Sequence, residues 1–381
     1  MLSALVAGTT VAAAAVPAAA GTAGARHRPA GTPFPGQLNA VTATSASNAW
    51  AVGYSTGETL IERWNGKAWK FVNSLNLGAS GDLYGVAAPS ASDAWAVGYL
   101  PGQSGSASLI AHWNGKGWKR VKSPNPGPDG SILQGVAATS ASSAWAVGET
   151  GGEKTVILRW NGQTWKQVPS PSPGPQGDFL YGVTATSATS AWAVGTAHTG
   201  AVTSTLILHW NGKTWKRVAS PSPGPEGSTL YGVSASSPAS AWAVGYTAVY
   251  SEGWKTLIEH WNGKTWKQVP SPDPVTVSSS KLTWNILQSV SAVSAGSAWA
   301  AGYSEVALTG SKDMILRWNG TAWKQVSSPN PFCATCDSLL GVTARPAGHG
   351  WAVGTVNVGA EVTILRGNGA AWKNFPSAPL P

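Results

Sequence analysis

Seven tandem copies of one pattern occupy nearly the whole chain. Each is marked by a core of the AWAVG type, with tryptophans at Trp50, Trp95, Trp145, Trp192, Trp242, Trp299 and Trp351. Successive gaps of 45, 50, 47, 50, 57 and 52 residues match one four-stranded propeller blade and exceed the period of leucine-rich or ankyrin units. A unit this short cannot bury its apolar faces alone, so it must stack on its neighbours. The pattern therefore predicts an all-β, seven-bladed β-propeller with four antiparallel strands per blade. Blades are expected at 38–82, 83–132, 133–179, 180–229, 230–286, 287–338 and 339–381, after a linker at 26–37. Only 11% of the 381 residues are charged, against about 25% in an average soluble protein, which fits strands covered on both faces.

The fourth copy, starting at Leu180, shows the internal order. A small apolar run, Leu180 to Ala185, turns through Thr186 to Ser190 into Ala191-Trp192-Ala193-Val194-Gly195. Alternation puts Trp192 and Val194 on one face and the two alanines and glycine on the other, so a bulky face can meet a small-residue face of the next blade. A third run ends at His209-Trp210, and Asn211-Gly212 predicts a two-residue type I′ hairpin returning to Trp215. Asn-Gly recurs at Asn65, Asn114, Asn161, Asn262, Asn319 and Asn368. The prolines of SPSPGP then confine the fourth run to the outer edge. Twenty of the 22 tryptophans fall in these framework positions. A basic residue precedes each hairpin: Arg63, His112, Arg159, His209, His260, Arg317 and Arg366. Sevenfold recurrence assigns it a structural duty, stacking on tryptophan or bonding between blades. In the seventh copy Gly367 replaces the hairpin tryptophan. The chain opens on an inner strand and ends after an outer one, so closure is expected from face packing between blades 1 and 7, without strand exchange. The stubs at 33–35 and 376–381 resemble two halves of one blade-to-blade loop.

Residues 1–25 are uncharged, rich in Ala, Val and Gly, and end in small-residue sites, which reads as a signal peptide and a secreted or extracellular destination. Cys333 and Cys336, the only cysteines, would then form a local disulfide. The net charge of +9 comes from dispersed lysines and reads as a solvated rim. No nucleic-acid partner and no stable membrane insertion are expected.

The pattern L-x-G-V, then AWAVG, then I-L-x-W-N-G-K-T-W-K-x-V resembles the Asp-box or BNR class of propellers, including photosystem assembly-factor-like and sialidase-like repeats, over residues 38 to 381. Gly212-Lys213-Thr214-Trp215 fits the end of an Asp-box, with Trp210 where that class carries aspartate. A looser likeness links the W-x-x-V rhythm to tectonin-type lectins. The resemblance implies an exported propeller of bacterial type that serves as a binding scaffold. The arginine triad and Tyr/Glu pair of sialidase chemistry have no counterpart recognisable in the sequence.

Chain direction puts the strand 1-to-2 and 3-to-4 turns on one face of the disc and the 2-to-3 and blade-to-blade loops on the other. The second set varies most, and there a rigid scaffold carries recognition. Blades 5 and 6 add Tyr250, Glu252, Trp254 and Trp284, the two tryptophans being the ones outside the framework. The residue after each starting leucine also varies: Asn39, Tyr84, Gln134, Tyr181, Tyr231, Gln288 and Leu340 would ring the channel mouth. Aromatic and amide groups suit a sugar, whose C–H face stacks on rings while its hydroxyls meet amides. The expected function is a non-catalytic binding module for a glycan or a cell-surface partner, with no cofactor and no metal. A polysaccharide-cleaving enzyme stays open, through Glu252, Asp273, Glu305 and Asp313 as carboxylates or Tyr181, Tyr231 and His198 as a lyase set. So does a protein-interaction scaffold.

Overall fold

The computed structural model describes residues 35–74, 77, 80–102, 105–200, 202–250, 252–274, 282–306, 310–329, 338–356 and 361–378. The expected signal peptide and the Cys333–Cys336 pair lie outside these residues. Twenty-eight strands follow one another in sets of four, each set an antiparallel sheet in chain order, so the chain is a β-propeller with four-stranded blades. In repeat 4 the strands are Asp178–Ser187, Ser190–His198, Thr203–Trp210 and Trp215–Val218. Inner strands begin slightly before the expected leucines, at Gln37 in repeat 1 and Thr283 in repeat 6. Repeats 4, 5 and 6 join into one twelve-stranded sheet through short parallel pairings, Thr203 with Gly227 and Trp254 with Trp284. Among the described residues no helix is long and apolar enough to cross a membrane.

Bulky faces pack on small ones. Trp145 and Val147 of repeat 3 share a core with Ala191, Ala193, Leu206 and Leu208 of repeat 4. The two hairpin tryptophans of a repeat close on the core tryptophan of the repeat before: Trp210 and Trp215 stand 4.9 and 5.1 Å from Trp145. The framework basic residues stack as their recurrence suggested, with the Arg63 guanidinium 4.9 Å from the Trp50 ring and His112 4.1 Å from Trp95. Arg63 and Arg159 also donate to Ala91 and Ala188 carbonyls of following repeats. Leu38, Val41 and Trp64 of repeat 1 share a core with Trp351 and Val353 of repeat 7, so first and last repeats meet by face packing.

The Asn-Gly hairpin differs from the expected type I′ turn. Its glycine has positive φ, +93° at Gly212, but no asparagine of the set does. The loop is four residues long, Asn211 to Thr214, between the paired Trp210 and Trp215. Asn211 Oδ1 accepts from the amides of Lys213 and Thr214. The side chain supplies the acceptor that a tighter turn would take from the backbone.

A side-chain latch built on a serine hydroxyl holds the outer strand in repeats 1 to 6. Thr205 Oγ1 lies 2.8 Å from Ser220 Oγ and donates to the Pro221 carbonyl. Thr59 with Ser74, Ser108 with Ser123, Thr155 with Ser170, Thr256 with Ser271 and Asp313 with Ser328 repeat the pairing. Repeat 7 has Val362 at the threonine position. Its tail instead reaches repeat 1, where the Ala378 amide donates to Glu62 Oε2 at 3.0 Å. Burial raises the Glu62 carboxyl to about 7 against that hydrogen bond.

Candidate functional site

Each inner strand carries a β-bulge at one fixed position. In repeat 4 the register skips Tyr181, with Leu180 opposite Gly195 and Gly182 opposite Val194. Asn39, Tyr84, Gln134, Tyr231, Gln288 and Leu340 are skipped in the same way. A bulge leaves its extra residue unpaired and re-aims its side chain. These seven residues consequently line one central cavity of about 360 Å³, as the sequence placed them. The following glycine lets inner strands approach: a Cβ on Gly182 would lie 2.7 Å from the Tyr231 carbonyl oxygen, and one on Gly341 3.0 Å from Ala40 Cα of repeat 1.

From the cavity an aromatic track runs outward over repeats 4 to 6. Tyr181 stands 5.1 Å from Tyr231, Tyr231 6.0 Å from Tyr246, Tyr246 4.3 Å in a stack from Trp254, and Trp254 6.4 Å edge-on from Trp284. The Tyr231 and Tyr246 hydroxyls are hydrogen-bonded. Trp254 and Trp284 are both half-buried, so the two off-framework tryptophans extend the central ring. Beyond the track, Tyr250 is 75% exposed and Glu252 forms an ion pair with Lys255, placing both at the outer rim. Tyr303 hydrogen-bonds Gln288 beside the track.

The residue directly after AWAVG makes a second ring that the sequence reading passed over: Tyr54, Tyr99, Glu149, Thr196, Tyr246, Tyr303 and Thr355. Its signal is positional, a variable residue at the edge of the least variable segment. Tyr99 stacks on Tyr84 at 5.9 Å, and Asp82 bonds both phenols. Gln134 donates to Glu149 Oε1 at 3.3 Å. Burial lifts Glu149 to about 7, opposed by that bond. Burial raises the phenols of Tyr84, Tyr181 and Tyr231 well above their ordinary range, with neighbouring Asp82, Glu149 and Tyr246 adding to the respective shifts. Tyr303 is pushed to about 12 by burial and then by Glu305.

Two enzyme candidates are held structurally. Asp273 accepts from the amide and hydroxyl of Thr256, and Asp313 accepts from Ser328. Glu305 lies across the sheet register from Trp284. His198 packs edge-on to Phe179 at 5.5 Å, which stacks on Tyr181 at 6.4 Å. Among the described residues no group of three His, Cys, Asp or Glu could hold a metal ion.

No protein-family model and no curated protein matches the sequence. Solved structures do match. YCF48 bound to D1 peptide aligns at 14% identity and TM-score 0.56, covering 88% of this chain and 92% of that one. YCF48 from Cyanidioschyzon merolae gives 14%, 0.55, 88% and 97%. A fungal lectin from Aleuria aurantia, described as a six-bladed propeller with a novel fucose recognition mode, gives 12%, 0.48, 92% and 97%. The YCF48 matches support the propeller fold.

Proposed function

We propose that the protein is an exported, non-catalytic binding module: one closed ring of seven Asp-box-like blades that takes a neutral, hydroxyl-rich glycan on its loop face. The observation that carries the reading is the track from Tyr181 to Trp284, continuous with a cavity lined by amides and phenols. Ring faces at this spacing offer stacking surfaces for sugar C–H groups, and Gln134, Gln288 and Asn39 offer donors and acceptors for hydroxyls. Among the described residues, the groups lining the cavity include no lysine or arginine, and burial favours the uncharged form of Glu149, so an uncharged ligand fits better than an anionic one. Closure as seven blades is supported by the Gly341–Ala40 approach, which repeats the inner-strand contact between neighbouring repeats. Export and a Cys333–Cys336 bridge rest on the leader-like N-terminus and the cysteine spacing alone.

A protein partner is the second reading. Val202, Tyr250 and Leu282 are the large apolar side chains exposed among the described residues, and all three sit in the loops of repeats 4 to 6. YCF48, which shares the fold, has been solved with a bound D1 peptide.

The test is a glycan array with residues 31–381, followed by product analysis on every polysaccharide bound. Binding without new reducing ends or unsaturated products supports the module. Cleavage would instead make this an enzyme, and silence on every glycan would leave the protein-partner reading.

A further inference from the structure

A second cavity, of about 120 Å³, opens on the opposite face, between repeats 7 and 1. It lies among the short turns, where the repeats are otherwise most alike. Arg345, His349 and Arg366 line it, with Trp351, Gly350 and Gly367 beside them and the 43–46 segment of repeat 1 across the junction.

Comparison with the other repeats shows what is unusual. Two residues before the core tryptophan stand Asn48, Asp93, Ser143, Ser190, Ser240 and Ser297, but His349 in repeat 7. In repeats 1, 2 and 5 this polar side chain engages the framework base. Arg63 donates through Nε and Nη2 to Asn48 Oδ1, His112 Nε2 lies 2.6 Å from Asp93 Oδ1, and Ser240 lies 3.3 Å from His260 Nε2. Six residues before the core tryptophan stand Thr44, Pro89, Thr139, Thr186, Ser236 and Val293, but Arg345 in repeat 7. Thus in one repeat both positions beside the framework arginine have become basic. Neither ion pair found among the described residues lies here.

Both arginines are oriented by their contacts. Arg366 is fixed by stacking, its guanidinium 5.5 Å from the Trp351 ring and 5.4 Å from Trp64 of repeat 1. Arg345 donates through Nη1 to the Ala43 carbonyl at 3.3 Å, which uses one of its five N–H groups. Gly350 and Gly367 replace the alanine and tryptophan of the other copies and both line the cavity. Arg366 is exposed, whereas the six other framework bases are half-buried.

We propose that this junction cavity is an oxyanion site that receives one carboxylate, sulfate or phosphate group between Arg345, His349 and Arg366. Two guanidinium forks and an imidazole supply charge-assisted donors suited to such a group. The anion would take the place of the acceptor that Asn48 or Asp93 provides elsewhere. Because the walls come from repeats 7 and 1, occupancy ties the two repeats together and raises the stability of the ring by linkage.

Thermal unfolding of the full chain is followed with sodium phosphate, sodium sulfate and sodium acetate, each against sodium chloride at matched ionic strength. Wild type should show a saturable rise in Tm beyond chloride, and the arm with the lowest midpoint identifies the group bound. R345T/H349N restores the side chains of repeat 1 and gives Arg366 a neutral acceptor, so it should raise that midpoint at least tenfold. His349→Ser, the residue of four other repeats, is the milder second variant and should weaken the response in the same direction. Trp254→Ala, on the other face, should leave the midpoint unchanged. No wild-type response beyond chloride, or an unchanged midpoint in both site variants, overturns the proposal.

Discussion

At Glu259 a single side chain breaks the rule of its own repeat. The equivalent positions hold Ala111, Leu158, Leu208, Leu316 and Leu365, with Glu62 as the other acidic exception. Glu62 meets the Ala378 amide. The residue at that tail position in repeat 4, the repeat packed against this side of repeat 5, is Pro221, which has no N–H to give. Glu259 is 0% exposed, neither carboxylate oxygen has a hydrogen-bond partner among the described residues, and burial lifts it from 4.5 to about 8. The folded state holds this proton where the unfolded chain has released it, so Glu259 makes the protein lose stability as pH rises from about 4.5 to 8. Glu259→Gln should flatten that decline: across urea melts from pH 5 to 9 the variant's midpoint should fall less than wild type's, and parallel profiles would refute the assignment. Trp192→Ala, which empties the contact with Trp261 and Trp266, should cost about 3–5 kcal/mol in the same assay. The role of Trp192 was legible in the sequence because it recurs; the state of Glu259 was not, because it depends on which residue of another repeat faces it.

Strands and turns repeat the lesson one level up. Alternation and the position of the prolines located the strands, and the seven bulge residues were placed at the channel mouth from their position opening the inner strand and their variability. The hairpin type was misread, since Asn-Gly by itself does not distinguish a two-residue turn from a four-residue loop in which the asparagine side chain accepts. Asn211→Ala should therefore destabilise by about 1 kcal/mol in urea denaturation, and no measurable loss would mean that the side-chain acceptor does not hold the loop. Thr205→Val removes the hydroxyl from the latch to Ser220 and Pro221 while keeping the shape, and should cost about 1 kcal/mol in urea denaturation. No measurable loss would mean that packing, and not the hydroxyl pair, holds the outer strand. The residues after AWAVG went unnoticed because strand periodicity marks them only as the end of a buried run; their contacts with the bulge residues arise from the pairing of two strands.

For the whole molecule, the insertions of repeats 5 and 6 mark the sector proposed to bind, and the structure adds that Tyr246 links the inner tyrosines to Trp254. Trp254→Ala should weaken glycan binding at least tenfold, about 1.4 kcal/mol, with Tm nearly unchanged by calorimetry. A stability loss of several kcal/mol would instead make Trp254 a local core residue. The repeats are also joined unevenly. A main-chain hydrogen bond ties Ser106 to Asp129 in the connection from repeat 2 to repeat 3, another joins repeats 3 and 4 at Glu153 and Asp178, and parallel pairings run onward to repeats 5 and 6. Among the described residues, the remaining junctions are crossed by bonds that involve a side chain, such as Asn39 to Leu83 and Thr355 to Gly36. Among the described residues, main-chain bonds thus run in series from repeat 2 through repeat 6, the stretch that carries the aromatic track. A load along that series would be shared by its backbone, leaving the spacing of the aromatic track almost undisturbed.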